Sequence, residues 1–388
     1  MAKLVALSRY ASATAAMTLR FILLAGLPAL VACSASRSQS AQSTAEPPFS
    51  VTEVARFDSP WALDFLPGSG VPKTNVALVT EKAGKLWLID VTTGKRQEVT
   101  GVPKVHVEGQ GGLADVVAHP DFAGNQRIYL SFPEAGPGGT SGATVGYGRL
   151  ILGAGPPRLE GYKTIWRQQP KEEGGAHYSE RIAFAPDGTM FITSGERFQF
   201  TPAQDPNVDL GKVIHMTAEG QRIGGHHYTL GHRNLLGLAF APDGRLWETE
   251  MGPMGGDELN LILPGRNYGW PKASNGSNYD GSGIPDHKSG DGFEPPKVWW
   301  NPSISPSSLL IYSGDMFPQW KGDGLIGALS GQALIRVDID GDKARKADQW
   351  DMGKRIRAVD QGPGGEVYLL EDGPGARLLK LTPAQVRR

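Results

Sequence analysis

The chain holds one cysteine, Cys33, among 388 residues. With no second thiol there is no disulfide scaffold or thiolate metal site, and past residue 33 there is no thiol enzyme. Charge of one sign is missing too. Lys and Arg number 39 against 40 Asp and Glu, a formal net charge of −1 with no basic block, which argues against a nucleic-acid partner. No Cys-x-x-Cys-His occurs, so no haem attachment site is encoded. The apolar run at residues 21–32 (FILLAGLPALVA) is about a dozen residues, short of the roughly 20 that a spanning helix needs.

That run, preceded by Lys3, Arg9 and Arg20, fits the core of a signal peptide. It ends Leu30-Val31-Ala32-Cys33, which resembles a bacterial lipobox, and Ser34 resembles the outer-membrane sorting pattern. The expectation is a signal segment at 1–33 and an exported protein on the periplasmic face of a Gram-negative outer membrane. Its membrane contact would be through the lipid anchor alone. The competing reading is ordinary cleavage nearby, which leaves a free thiol. Residues 34–48 (SASRSQSAQSTAEPP) are small and polar without an apolar period and read as a flexible tether. Residues 49–385 are the folded body.

What the chain has in quantity is Gly (52) and Pro (29), which in the body sit between short runs of branched and aromatic residues. This composition predicts an all-β chain. One phrase recurs: Asp64-Phe65-Leu66-Pro67-Gly68, Val117-Ala118-His119-Pro120-Asp121, Ala183-Phe184-Ala185-Pro186-Asp187-Gly188, Ala239-Phe240-Ala241-Pro242-Asp243-Gly244 and Gln361-Gly362-Pro363-Gly364-Gly365. Between two strands it is turn chemistry: Pro presets φ, Asp bonds locally and Gly accepts positive φ. The prolines are 53, 66 and 56 residues apart, and the last gap of 121 holds two periods. The missing phrase belongs to 309–338, where paired strands continue. Six such units, each with four short strands, predict a six-bladed β-propeller of four-stranded antiparallel blades. A strand at 50–57 should pair into the last blade and close the ring.

In a propeller, functional groups gather where loops meet the innermost strands. Gln110, His177, Arg233, Asn234, Arg355 and Arg357 all precede repeats. Residues i and i+2 of a strand share a face, so Arg355 and Arg357 aim at one spot. With Arg233 they would hold a small polyanion, since guanidinium forks match carboxylates. Alternatively, each pairs with an acid on a neighbouring blade. His177 is the best-placed acid–base group of the eight histidines. The adjacent His226 and His227 point to opposite faces and make a poor metal pair. A Gly/Pro-rich loop, 250–258, offers carbonyls and carboxylates of the kind that suit Ca²⁺. Trp299 and Trp300 either stack on a ligand or belong to the core.

The segments GQGGLADVVAHPDF, HYSERIAFAPDG, GHRNLLGLAFAPDGRLWETEMGP and GGDELNLILPGRNYGWP resemble the soluble pyrroloquinoline quinone (PQQ)-dependent aldose sugar dehydrogenases, the glucose/sorbosone dehydrogenase family. The resemblance runs from about residue 54 to 383. It implies a PQQ- and calcium-dependent oxidation of aldoses to lactones, with electrons passed to a separate acceptor. His177 matches the catalytic base. Gln110, Arg233, Asn234, Arg355 and Arg357 match cofactor-holding positions, and Arg233 would also favour charge on the reduced cofactor. Gly252 and Pro253 match the carbonyls that bind the catalytic calcium. Glu258 and Tyr268 match a structural calcium site. The chain departs from the pattern at Ala176, where the soluble glucose enzymes carry an acid that orients the base, at Glu180, usually Gly or Ser, and at Glu196, commonly the Asp of Gly-Asp. Residues 329–332 lack a lysine that some members use on the cofactor. If they point inward, Glu180 and Glu196 add negative charge beside an anionic cofactor. That motivates a second reading, a surface-anchored propeller that binds glycans or a protein without catalysis. A third, a lactone hydrolase, needs an axial metal held by Glu, Asn and Asp.

Overall fold

The computed structural model describes residues 46–68 and 73–384; the signal segment and most of the tether lie outside the described residues. The described chain is a six-bladed propeller. Blades 1 to 5 begin with strands Pro60–Phe65, Val116–Ala118, Ser179–Phe184, Leu235–Phe240 and Pro306–Ile311, each followed outward by antiparallel strands in chain order. Blade 6 takes its inner strands from Ile356–Gln361, Val367–Glu371 and Ala376–Pro383, and its outermost strand from Phe49–Phe57. Phe49 pairs with Pro383 and Phe57 with Ala376, so the first and last described strands close the ring as the sequence predicts. Blade 2 departs from four strands: a short strand, Glu172–Glu173, adds a fifth.

Burial grades from axis to rim. The second strand of blade 4, Leu246–Glu250, is buried at every residue, because blades cover both its faces. The outermost strand of blade 5, Lys343–Asp351, is largely exposed and carries charges that deter edge-to-edge pairing. The recurrent phrase makes the turn between first and second strands. In blade 3, Ala185 N–H donates to Thr189 O (2.8 Å), Asp187 Oδ1 accepts from Thr189 N–H (2.9 Å) and Gly188 sits at φ +82°. Blade 4 repeats this with Ala241, Asp243 and Gly244. Blade 5 replaces the phrase with a longer loop, plugged by Tyr312 and by Phe317 stacked on Trp320 at 4.1 Å.

Candidate active site

The first strands start, and the second strands end, at the same mouth of the central channel. In five blades the ladder between these strands slips near its start: Pro60/Leu63, Ser179/Ile182, Leu235/Gly237, Pro306/Ser308 and Ile356/Ala358. Such a bulge re-aims one side chain. Trp61, Glu180, Leu236 and Arg357 lie within four of these slips, and all line a cavity of about 390 Å³ at the mouth. A simple period-2 pattern hides this, which is why Trp61 and Leu236 were not expected there.

Arg181 closes the cavity from below. Its guanidinium reaches Asp115 Oδ1 (2.9 Å), Leu236 O (2.7 Å) and Ser307 O (2.7 Å), and lies over the Trp61 ring at 4.0 Å. Four other blades are thus tied to one buried side chain. Burial raises the Asp115 carboxyl above its ordinary range despite this partner.

His177 sits at the edge of the cavity, 4% exposed, beside the lining residues Tyr178 and Gln110. Gln110 Oε1 accepts from its backbone N–H (2.9 Å). Its Nδ1 bonds Glu196 Oε1, and Glu196 Oε2 accepts from Phe200 N–H (2.6 Å). Glu196 therefore points to the imidazole and the Phe200 N–H rather than into the cavity, and holds the His177 ring in place. With Nδ1 as donor, Nε2 keeps its lone pair, and no group among the described residues bonds it. Burial lowers the His177 pKa more than Glu196 restores it, and the Arg233 and Arg197 charges lower it further. His177, Ser179 and Glu180, with Arg197, Phe198 and Phe200 opposite, all have positive φ. Strain of this kind, about 1–3 kcal/mol per residue, persists where the surroundings over-determine the backbone. Gly195 permits the close approach, since a β-carbon there would collide with the His177 carbonyl.

Arg355 and Arg357 do converge. Both bond Asp372, through Arg355 Nε (2.8 Å) and Arg357 Nη2 (2.8 Å). The acid is on their own blade, not a neighbouring one. Two guanidiniums on one carboxylate leave a positive charge, and Lys82 adds a cation the sequence reading missed. Lys82 lines the cavity, bonds Gly109 O (3.1 Å), and has its pKa lowered by burial and by Arg357. Asn234, also lining, accepts from Ser179 Oγ (3.2 Å).

Arg233 is buried beside this cavity. Its Nη1 donates to Met251 O (3.0 Å) and Gly252 O (2.8 Å), and its Nη2 bonds Tyr279 Oη (3.1 Å). The predicted calcium loop thus turns carbonyls toward a positive group, here a guanidinium, and Pro253 is buried beside them. Asp257 fixes this loop by accepting from Gly252 N–H (2.9 Å). Glu258 joins a buried acid cluster. Asn260 Nδ2 is shared by Glu248 (3.2 Å), Glu250 (3.3 Å) and Glu258 (3.1 Å), and His232 Nδ1 meets Glu250 at 2.9 Å. Burial first, then mutual repulsion, pushes Glu248 and Glu258 well above the carboxylate range. Glu248 Oε1 and Asn260 Oδ1 are buried without partners, as a cation's ligands would be. The Tyr268 phenol instead donates to Leu261 O (2.6 Å), leaving only its carbonyl for such an ion. His226 turns to Asp209 (3.0 Å). Trp300 is core, and Trp299 lies on the outermost strand of blade 4 under Lys346.

The profile of the family "Glucose / Sorbosone dehydrogenase" matches residues 57–380. The chain belongs to this family. It is 38% identical over 345 residues to the aldose sugar dehydrogenase YliI of Escherichia coli, covering 84% of this chain and 91% of that protein. The apo-form crystal structure of the soluble aldose sugar dehydrogenase from Escherichia coli superposes with a TM-score of 0.80 at 37% identity, over 87% of this chain and all of that one (100%). The PQQ-bound aldose sugar dehydrogenase of Streptomyces coelicolor gives 0.72 at 29% identity, over 87% and 99%. The protein is thus an oxidoreductase of the sugar dehydrogenase type. Among the described residues, the group of three imidazole or carboxylate ligands close enough to share one metal, His232, Glu248 and Glu250, belongs to blade 4.

Proposed function

We propose that this protein oxidises aldoses at the anomeric carbon to lactones, using PQQ in the mouth cavity and calcium beside it. The observation that carries the reading is the Glu196–His177 pair at the edge of a cationic cavity. Arg355, Arg357 and Lys82 suit the carboxylates of the cofactor, and Gln110 and Asn234 offer amide contacts. When bound, the quinone supplies a two-electron hydride acceptor, and a calcium at the Gly252–Pro253 carbonyls would polarise it. His177 Nε2 takes the proton of the anomeric hydroxyl, and Glu196 stabilises the imidazolium that forms. Arg233 favours negative charge developing nearby. Phe198, 44% exposed and 5.1 Å from the His177 ring, offers the sugar an apolar face. Electrons then pass to a separate acceptor. We further propose that Cys33 carries a lipid anchor at the periplasmic face of the outer membrane; loss of palmitate labelling in Cys33→Ala would support this, and unchanged labelling would refute it.

The deciding experiment is titration of the apo-protein with PQQ and Ca²⁺, followed by addition of glucose and a dye. Reduction of the quinone by sugar supports the reading, and His177→Ala should take up cofactor yet lose nearly all turnover. No uptake, or an active His177→Ala, would overturn it.

A further inference from the structure

Glu180 is a carboxyl with no partner to explain its place. It is 3% exposed, sits at φ +75° within the blade 3 bulge, and lines the mouth cavity. Its backbone is fixed from behind, since Ser131 Oγ donates to the Glu180 carbonyl (2.7 Å). Its Oε1 is buried and meets no donor among the described residues. Arg197, whose charge acts on Glu180, directs its guanidinium to the carbonyls of Ala176, Ser141 and Gly174 and packs over the Tyr178 ring at 3.9 Å. Asp115 is taken by Arg181 and by Ile182 N–H (2.9 Å). Across the cavity, Arg355 and Arg357 are held by Asp372, and Lys82 by Gly109. An unpartnered buried carboxyl costs free energy, more so if ionised, so the position is kept for something the cavity receives.

We infer that Glu180 is a ligand contact, whose carboxyl donates a hydrogen bond to an acceptor atom on a planar polyanion bound in the cavity. The inference rests on the quinone-binding reading above. Burial raises the Glu180 pKa well above its ordinary value; Asp115 adds to this and Arg197 opposes it. The acid form can donate where the ionised form would only accept and would repel an anion. This differs from the expectation that Glu180 simply weakens an anionic site: it weakens it only once ionised.

The test is uptake of PQQ, with calcium, by the apo-protein of wild type, Glu180→Gln and Glu180→Gly, followed by quenching of tryptophan fluorescence. Measurements run upward in pH from the ordinary carboxylate range to the limit at which the protein stays folded, since a raised carboxyl ionises above its ordinary value. Wild type should bind more weakly as pH rises. Glu180→Gln, an amide donor that does not titrate, should lose that loss and bind tightly throughout. Glu180→Gly should bind about tenfold more weakly than wild type at the acid end, with a flatter profile, for want of one hydrogen bond to a charged group. Three parallel profiles, or undiminished binding by Glu180→Gly at every pH, would overturn the inference while leaving the enzyme reading intact. Absence of uptake by wild type at any pH would overturn both.

Discussion

Replacing Glu196 by Gln removes one charge and changes no volume, yet the geometry makes it severe. Glu196 accepts two hydrogen bonds, from His177 Nδ1 and from Phe200 N–H. A glutamine has one acceptor oxygen. If that oxygen stays on Phe200, the amide NH₂ faces Nδ1, and the ring proton moves to Nε2, where a base cannot have it. If it turns to His177, the NH₂ opposes the Phe200 N–H in a buried place. Loss of a charged hydrogen bond is worth about 1.5–3 kcal/mol, roughly tenfold to hundredfold in rate, and a fixed wrong tautomer can reach about 10⁴. The acid limb should move as well. Glu196 holds the His177 pKa up against burial, so its removal lowers that pKa, and the variant should keep its residual rate to lower pH than wild type. The assay is dye-linked glucose oxidation against pH on cofactor-loaded protein. An unchanged rate, or an acid limb that moves upward, would refute the argument.

Three further outcomes follow from the same contacts. Arg357→Met should weaken cofactor uptake more than Arg355→Met, because the Arg357 side chain is 13% exposed and that of Arg355 48%, so solvent screens the latter; equal losses in a uptake titration would count against a buried carboxylate contact. Arg181→Met leaves Asp115 buried and unpaired and should cost about 3–5 kcal/mol in denaturant unfolding, with Asp115→Asn recovering part of it in the double variant. The pKa values of Glu248 and Glu258 are raised in the folded state, so their contribution is present below the ordinary carboxylate pKa and lost as pH rises through the raised values. If calcium binds this cluster, as proposed, adding it to the metal-free protein should raise the melting temperature more at about pH 8 than at about pH 5, and Glu248→Gln should raise the melting temperature of the metal-free protein.

The blade count was legible because turn chemistry is local. Pro-Asp-Gly between strands carries the same meaning wherever the strands go, and Gly188 and Gly244 adopt the φ that the phrase requires. Blade 5 escaped that pattern because its aromatic loop does the same work by packing Tyr312, Phe317 and Trp320. The pre-strand residues were found as a set, but their convergence depends on register slips that no periodicity reports. Glu196 shows the limit most clearly: its sign of charge was readable, while its direction is set by the strained turn through Arg197 and Phe198. The acid cluster of blade 4 was half seen. Glu250 came with the Gly/Pro-rich loop and Glu258 through the family likeness, but Glu248 looks like an ordinary strand residue until the ladder brings Asn260 and its neighbouring carboxylates opposite.

The strand Phe49–Phe57 enters blade 6 at Phe49, opposite Pro383, and leaves at Phe57, beside the start of the first inner strand. Ala384 N–H also donates to Pro48 O (2.9 Å), so both ends of the propeller lie together on the face away from the cavity. Anything that fastens the protein by its front end therefore fastens it by the back. The mouth with His177 and its arginines opens on the opposite face, so whatever covered the closing strand at Phe49 and Pro383 would leave that mouth uncovered.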